Sequence, residues 1–329
     1  MFDLLSSSRM DFELSDVQLV VRDHARRLGR SLAPDSSAAE VVASASRVGL
    51  TSDSLAFGTA ALAIETLACE SAAAAMMLAL HLVAVRAASG SEAETLIREG
   101  TIGSLSLSTE AMPSIDGGTL TGRAAWVGSV SNRGVAIVGV RQGGQVTTHA
   151  VALDAPGLAL EPIATSGLRG VSWAHLTFSK TPCVVVSTPA GIMAGARTLI
   201  AAVAIGIGAR ALQESLAAAE RYRGAGGEQT VQGLLADTAT ALDAARVLAW
   251  KAAFARGGPS VAQASMAKLA ATDAAQGAVV RATQVVGVDS FRHGHVIERL
   301  TQDVRAIELF AGRTEALREA VADEELPHV

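Results

Sequence analysis

The sequence predicts an α+β chain: an N-terminal helical domain over 1–100, a middle antiparallel β domain over 101–190, and a C-terminal four-helix bundle over 191–329. Three observations predict it. A helical period of apolar residues ends near Thr101, a period of two takes over, and the helical period returns at Gly191. Half of the 329 residues are apolar, with Ala foremost, while aromatics make up only 3%, which favours closely packed helices. The last third reads as long helices of about 28 residues, each about 42 Å in length, the proportions of a long bundle.

Over 15–32, Val17, Val20, Val21, His24, Ala25 and Leu28 share one helical face behind Ser15 as N-cap. Helices follow at 38–48, 55–69 and 72–88, the last two apolar all round and so buried among other helices. Residues 89–100 read as a short capped helix stopped by Gly100. Five alternating or short apolar runs between Ile102 and Lys180, separated by Gly, Asn, Pro and Asp, read as strands and turns. Helices are then predicted at 193–222, 228–256, 260–287, 298–310 and 313–322.

Composition narrows the function. The formal net charge is −5 and no basic block stands out, so no nucleic-acid partner is expected. Cys69 and Cys183 lie far apart without metal-ligand spacing and read as reduced thiols of a cytoplasmic protein. Met1 to Arg9 lacks the apolar core of a leader peptide. The most apolar run, Thr198 to Ala209, is shorter than the roughly 20 residues a bilayer needs, so no membrane is expected. Nor does a strand–Gly-x-Ser-x-Gly–helix pattern point to a hydrolase.

Several segments carry a resemblance: MDFELSDVQLVVRDHARRL, GSEAETLIREGTIGSLSLSTE, GLRGVSWAHLTFSKTPCVVV, VQGLLADTATALDAARVLAWKAA and ERLTQDVRAIELFAGRTEALR. In this order they resemble acyl-CoA dehydrogenases, over essentially residues 10–322. The resemblance implies an FAD-dependent enzyme that desaturates acyl thioesters. In such enzymes a Glu abstracts the α-proton while the β-hydride passes to the flavin, and burial raises that carboxylate's pKa toward neutrality. The family's aromatic-Glu-Gly-Thr motif reads Phe310-Ala311-Gly312-Arg313 here. A minority of the family carries its Glu before an Arg on the first long bundle helix, and here Ala196 precedes Arg197. Both seats of the base are therefore empty. Glu308, about one turn before Ala311, is the candidate replacement, with Glu315 beyond it. Asp289, His293 and His295 form a further polar group, read as a solvated loop rather than a metal site.

For the cofactor, the resemblance points to Thr109, Trp126, Arg197, Gln229, Gln284 and Gly287. The motifs around them are eroded. Arg313 stands where the family has a flavin-contacting Thr, Gly128 replaces the Thr that follows the family's Trp and Ile or Val, Val288 replaces the second glycine of the pyrophosphate turn, and Arg221 to Gly227 is short and lacks a Phe. The expectation is a base-deficient partner subunit of an FAD-dependent acyl-CoA dehydrogenase, as in the steroid-degrading α2β2 dehydrogenases. It would bind an acyl-CoA or acyl-carrier-protein thioester within a homo- or hetero-oligomer. The alternative is the same fold turned to flavin-free acyl-thioester chemistry or binding.

Overall fold

The changes of period coincide with changes of structure in a computed structural model that describes residues 13–52, 54–96, 101–106, 111–186, 189–221 and 228–326. Four helices come first: α1 (Asp16–Ser31), α2 (Ala38–Arg47), α3 (Phe57–Glu70) and α4 (Ala72–Ala88). Ser15 and Ser37 each close a capping box, satisfying N–H groups that a helix start leaves unpaired. The short helix expected at 89–100 is a single 3-10 turn, Glu92–Leu96, and Gly100 lies outside the described residues.

Among the described residues eight strands form one sheet: β1 (Ile102–Ser106), β2 (Ser114–Asp116), β3 (Thr119–Gly128), β4 (Gly134–Gln142), β5 (Gln145–Ala152), β6 (Leu158–Ile163), β7 (Trp173–Pro182) and β8 (Val184–Val185). The main path runs β6-β7-β3-β1-β4-β5-β8. The sheet is mixed rather than wholly antiparallel, because β1 and β2 both run parallel to β4. Alternation along a strand reports which face is buried and says nothing about the direction of its neighbour, so this lay beyond the pattern. Helix α4 crosses the sheet at Gly103, whose N–H donates to Nδ1 of buried His81 at 3.0 Å. A Cβ on Gly103 would stand 2.9 Å from the His81 carbonyl oxygen, so the approach requires glycine.

The remaining helices are α5 (Pro189–Arg221), α6 (Gln229–Ala253), α7 (Val261–Val286), α8 (Val296–Leu309) and α9 (Thr314–Glu325). Helix α5 is 33 residues long, far longer than the apolar run inside it. By length and apolarity it passes for a membrane span, yet 72% of its most apolar stretch is buried within the fold. Leu199, Ile200, Val203, Ile205 and Ile207 are all completely buried, and Gly206 lets the backbone of α3 approach at Glu65 and Cys69. Small side chains along α5 and α7 permit that closeness.

Candidate functional site

A cavity of about 960 Å³ opens where the start of α5, the loop after β6, α8 and the start of α9 converge. Its shape is fixed from two sides. The loop after β6 is tied to α8 by Asp303, whose Oδ1 accepts the Leu168 N–H at 2.6 Å. Burial raises the Asp303 pKa, and the bond from Leu168 works the other way. Gly167 rests so closely on α8 that a Cβ there would lie 2.3 Å from the Gln302 carbonyl oxygen.

The second side is the turn between α8 and α9. Ala311 adopts a left-handed conformation, φ 58°, and is buried. Arg197 Nε donates to the Ala311 carbonyl at 2.9 Å, and its Nη1 donates to Ser265 Oγ at 2.9 Å. Fully buried Lys268 donates through Nζ to the carbonyls of Glu308, at 3.0 Å, and Gly312, at 2.8 Å. Two cations thus hold one carbonyl of the last turn of α8 and two of the turn that follows it. Burial, aided by the Arg197 charge and opposed by Glu308, brings the Lys268 ammonium down to about 7. Burial also lowers the pKa of Arg197.

Lys268 escaped the sequence reading. Its signal was present: one Lys on the helical face of Ala264, Ala271 and Ala275, where a cation is not solvated.

The motif residues fall into separate places. Arg197, Trp126 and Ala311 all line the cavity, and Ala196 is buried beside it on α5. Glu308 does not line it. Its carboxylate points toward α7, accepting from Gln276 Nε2 at 2.7 Å and pairing with Arg305 at 3.3 Å, so it is not positioned to replace the missing base. Among the described residues no Asp or Glu lines the cavity. Gln229, Gln284 and Gly287 lie elsewhere. Both glutamines are exposed, and Gln284 stands sixteen residues beyond Lys268 along α7, about 24 Å at 1.5 Å per residue. Val288 is 85% exposed at the same end. Thr109 and Tyr222 to Gly227 lie outside the described residues. His293 is exposed, while His295 caps α8 by accepting the Ile297 N–H at 3.2 Å. Among the described residues no three His, Cys, Asp or Glu side chains gather into a metal set.

The aromatic wall bears on the cofactor. Trp173 stacks on Phe310 with ring centroids 4.3 Å apart, and Trp126 meets Trp173 edge-on at 6.3 Å. A Cβ added at Gly128 would lie 2.6 Å from the Trp173 ring and 2.5 Å from Leu80. Trp173 therefore fills the space that a side chain at 128 would need.

The profile described as Acyl-CoA dehydrogenase, C-terminal domain, matches residues 189–326. The short-chain specific mitochondrial acyl-CoA dehydrogenase of Homo sapiens is 31% identical over 237 residues, 65% of this chain and 58% of that protein. A 3-sulfinopropanoyl-CoA desulfinase of Paraburkholderia xenovorans is 32% identical over 188 residues, 51% of this chain and 48% of that protein. The chain thus spans less than two thirds of the length of these curated relatives. In fold it superposes on butyryl-CoA dehydrogenase from Megasphaera elsdenii with a TM-score of 0.84 at 20% identity, covering 96% of this chain and all of that one.

Proposed function

The chain belongs to the acyl-CoA dehydrogenase family, and on that premise we propose that it is a base-deficient partner subunit of an FAD-dependent acyl-CoA dehydrogenase. One observation carries the reading: the cavity is built and held, and the position of the base is a methyl group, Ala311, in a fixed turn. An acyl-CoA or acyl-carrier-protein thioester would enter it along the apolar wall of Met193, Leu309 and Phe310. No carboxylate waits there among the described residues to take an α-proton, and a general base of that kind is worth about 10²–10⁴ in rate.

FAD is the cofactor the family implies, supplying a hydride acceptor. The Thr that the family carries after its Trp-Val has no room here, because Trp173 occupies the space at Gly128. Exposed Gln229 and Gln284 instead favour contact with a flavin held chiefly by a second subunit. The exposed apolar side chains Val280, Val288 and Phe291, at the same end of α7, support an oligomer. Unpaired Cys69 and Cys183 support a cytoplasmic setting.

A second reading, acyl-thioester chemistry without flavin, is favoured by the filled space at Gly128 and by likeness to a desulfinase whose name specifies a CoA thioester. Co-expression with a full-length acyl-CoA dehydrogenase, followed by a flavin count and an assay with an electron acceptor, separates the two. The partner reading expects a mixed oligomer with flavin and turnover, and neither from this chain alone. A flavin-free homo-oligomer that transforms an acyl thioester overturns it.

A further inference from the structure

A second cavity, of about 490 Å³, lies between α1, α3, α5 and α6, where the N-terminal helices meet the bundle. Gln213, on its α5 wall, is sixteen residues beyond Arg197, about 24 Å along the helix at 1.5 Å per residue, so this cavity is separate from the one at Ala311. Among the described residues four arginines and two glutamates line it. Glu65 is taken by Arg246 at 2.7 Å and Glu70 by Arg30 at 3.1 Å. Arg210 and Asp243 join these pairs from outside the cavity. Both glutamates are withdrawn behind their partners, 13% and 15% exposed. Arg22 and Arg26, one turn apart on α1 and 35% and 43% exposed, are the charges left facing the opening. Asp23, between them on the same helix, stands 3.7 Å from each, beyond hydrogen-bond reach. The Nε of Arg22 is buried and has no hydrogen-bond partner.

We propose that this cavity is a binding site for a small phosphate monoester, its phosphate held by Arg22 and Arg26. Such a group carries a charge of about −1.5 to −2 at neutral pH and several strong acceptor oxygens. Guanidinium forks match those oxygens in geometry, and the Nε of Arg22 gains the acceptor it lacks. The cavity is roomier than a bare phosphate needs and falls within the range of small-ligand pockets, about 300–1,000 Å³. Thr66, Gln213 and Trp250 line the rest of it and meet the body of the ester. An occupant touches all four helices at once, so it pins the N-terminal helices to the bundle and stabilises the fold by mass action. The inference uses neither the cavity at Ala311 nor the acyl-thioester reading.

Of the three tryptophans, Trp250 lines this cavity, while Trp126 and Trp173 stand at the other, so indole emission tells the two apart. The full chain, in the assembly in which it purifies, is titrated with glycerol 3-phosphate, with glycerol, and with sodium chloride at matched ionic strength. Glycerol 3-phosphate is expected to change the emission saturably with a Kd of about 1 mM or below, and the other two to leave it unchanged. Trp250→Phe should remove the change, while the thermal midpoint of that variant still rises with glycerol 3-phosphate. Arg22→Gln and Arg26→Gln should each weaken binding about tenfold, the scale of one charge-assisted hydrogen bond. Arg26→Lys, which keeps the charge and loses the fork, should lose less than Arg26→Gln. No saturable change up to about 10 mM overturns the inference. An equal response to sodium chloride reports only screening of the ion pairs and overturns it as well. A change that persists in Trp250→Phe seats the phosphate beside Trp126 and Trp173, and one that survives both glutamine variants removes the arginines from the role; either result overturns the proposal.

Discussion

Arg246 and Arg197 are both half-buried in bundle helices, and the residues around them treat them in opposite ways. Arg246, on α6, donates through Nε to Glu65 of α3 at 2.7 Å and also pairs with Asp243. Burial pulls its pKa down, and the two carboxylates more than offset that, so the guanidinium stands above its ordinary range. Among the described residues Arg197 has only a carbonyl and a hydroxyl, and burial leaves its pKa lowered. The first cation is neutralised by the fold. The second is held by neutral partners and clamps the turn at Ala311.

The largest effect expected from this contrast is in stability. Arg246→Met strands the Glu65 carboxylate, only 13% exposed, and should cost about 3 kcal/mol, whereas Arg197→Met strands no charge and should cost about 1 kcal/mol. Urea unfolding of the two variants measures the difference, and equal costs would break the comparison.

Lys268 sharpens it through pH. Its folded pKa of about 7 lies below the 10.5 of a free Lys, so the unfolded chain holds more protons between those values. The penalty is complete below pH 7 and fades as pH rises toward 10.5. Relative to Lys268→Met, the wild-type chain should gain about 2 kcal/mol of stability between about pH 7 and 9. In the Arg197→Met background that gain should move to higher pH, because one of the charges depressing Lys268 is gone. An unchanged profile would mean that the two cations do not act on each other.

At the aromatic wall, Gly128→Thr should cost about 2 kcal/mol by overpacking against Trp173 and Leu80, and less in a Trp173→Ala background. The smallest effect belongs to Glu308→Gln. Its ion pair is largely exposed on the Arg305 side, so stability should change by under about 1 kcal/mol and acyl-CoA binding not at all. Turnover by the wild-type chain alone that this variant abolishes would, by contrast, restore Glu308 as a base.

Most of the fold was legible because its signals are periodic. The Ser15 cap before α1 and the all-apolar faces of α3 and α4 place those helices within a residue or two. The parallel pairing of β1 with β4 was not legible, since partner choice between strands leaves no trace within either strand. The cavity was half legible. Ala196, Ala311 and Arg197 could be found by register, but the removal of Glu308 to the α7 side depends on the direction in which α8 presents it. Lys268 shows the limit in the other direction. Its burial follows from contacts made forty residues away, at Glu308 and Gly312, and only its Ala neighbours hinted at it.

The left-handed backbone at Ala311 has an engineering consequence. A non-glycine residue at φ 58° costs about 1–2 kcal/mol, so a chain selected for backbone comfort alone would carry Gly there. The cost is met by cations that grip the main chain at 311 itself and at 308 and 312, and hydrogen-bond to no side chain at that position. The turn is thus a mount whose geometry does not depend on what it bears. Any side chain grafted at 311 would project from a rigid bracket toward a 960 Å³ chamber, which makes this protein a ready host for new acids, bases or nucleophiles introduced one residue at a time.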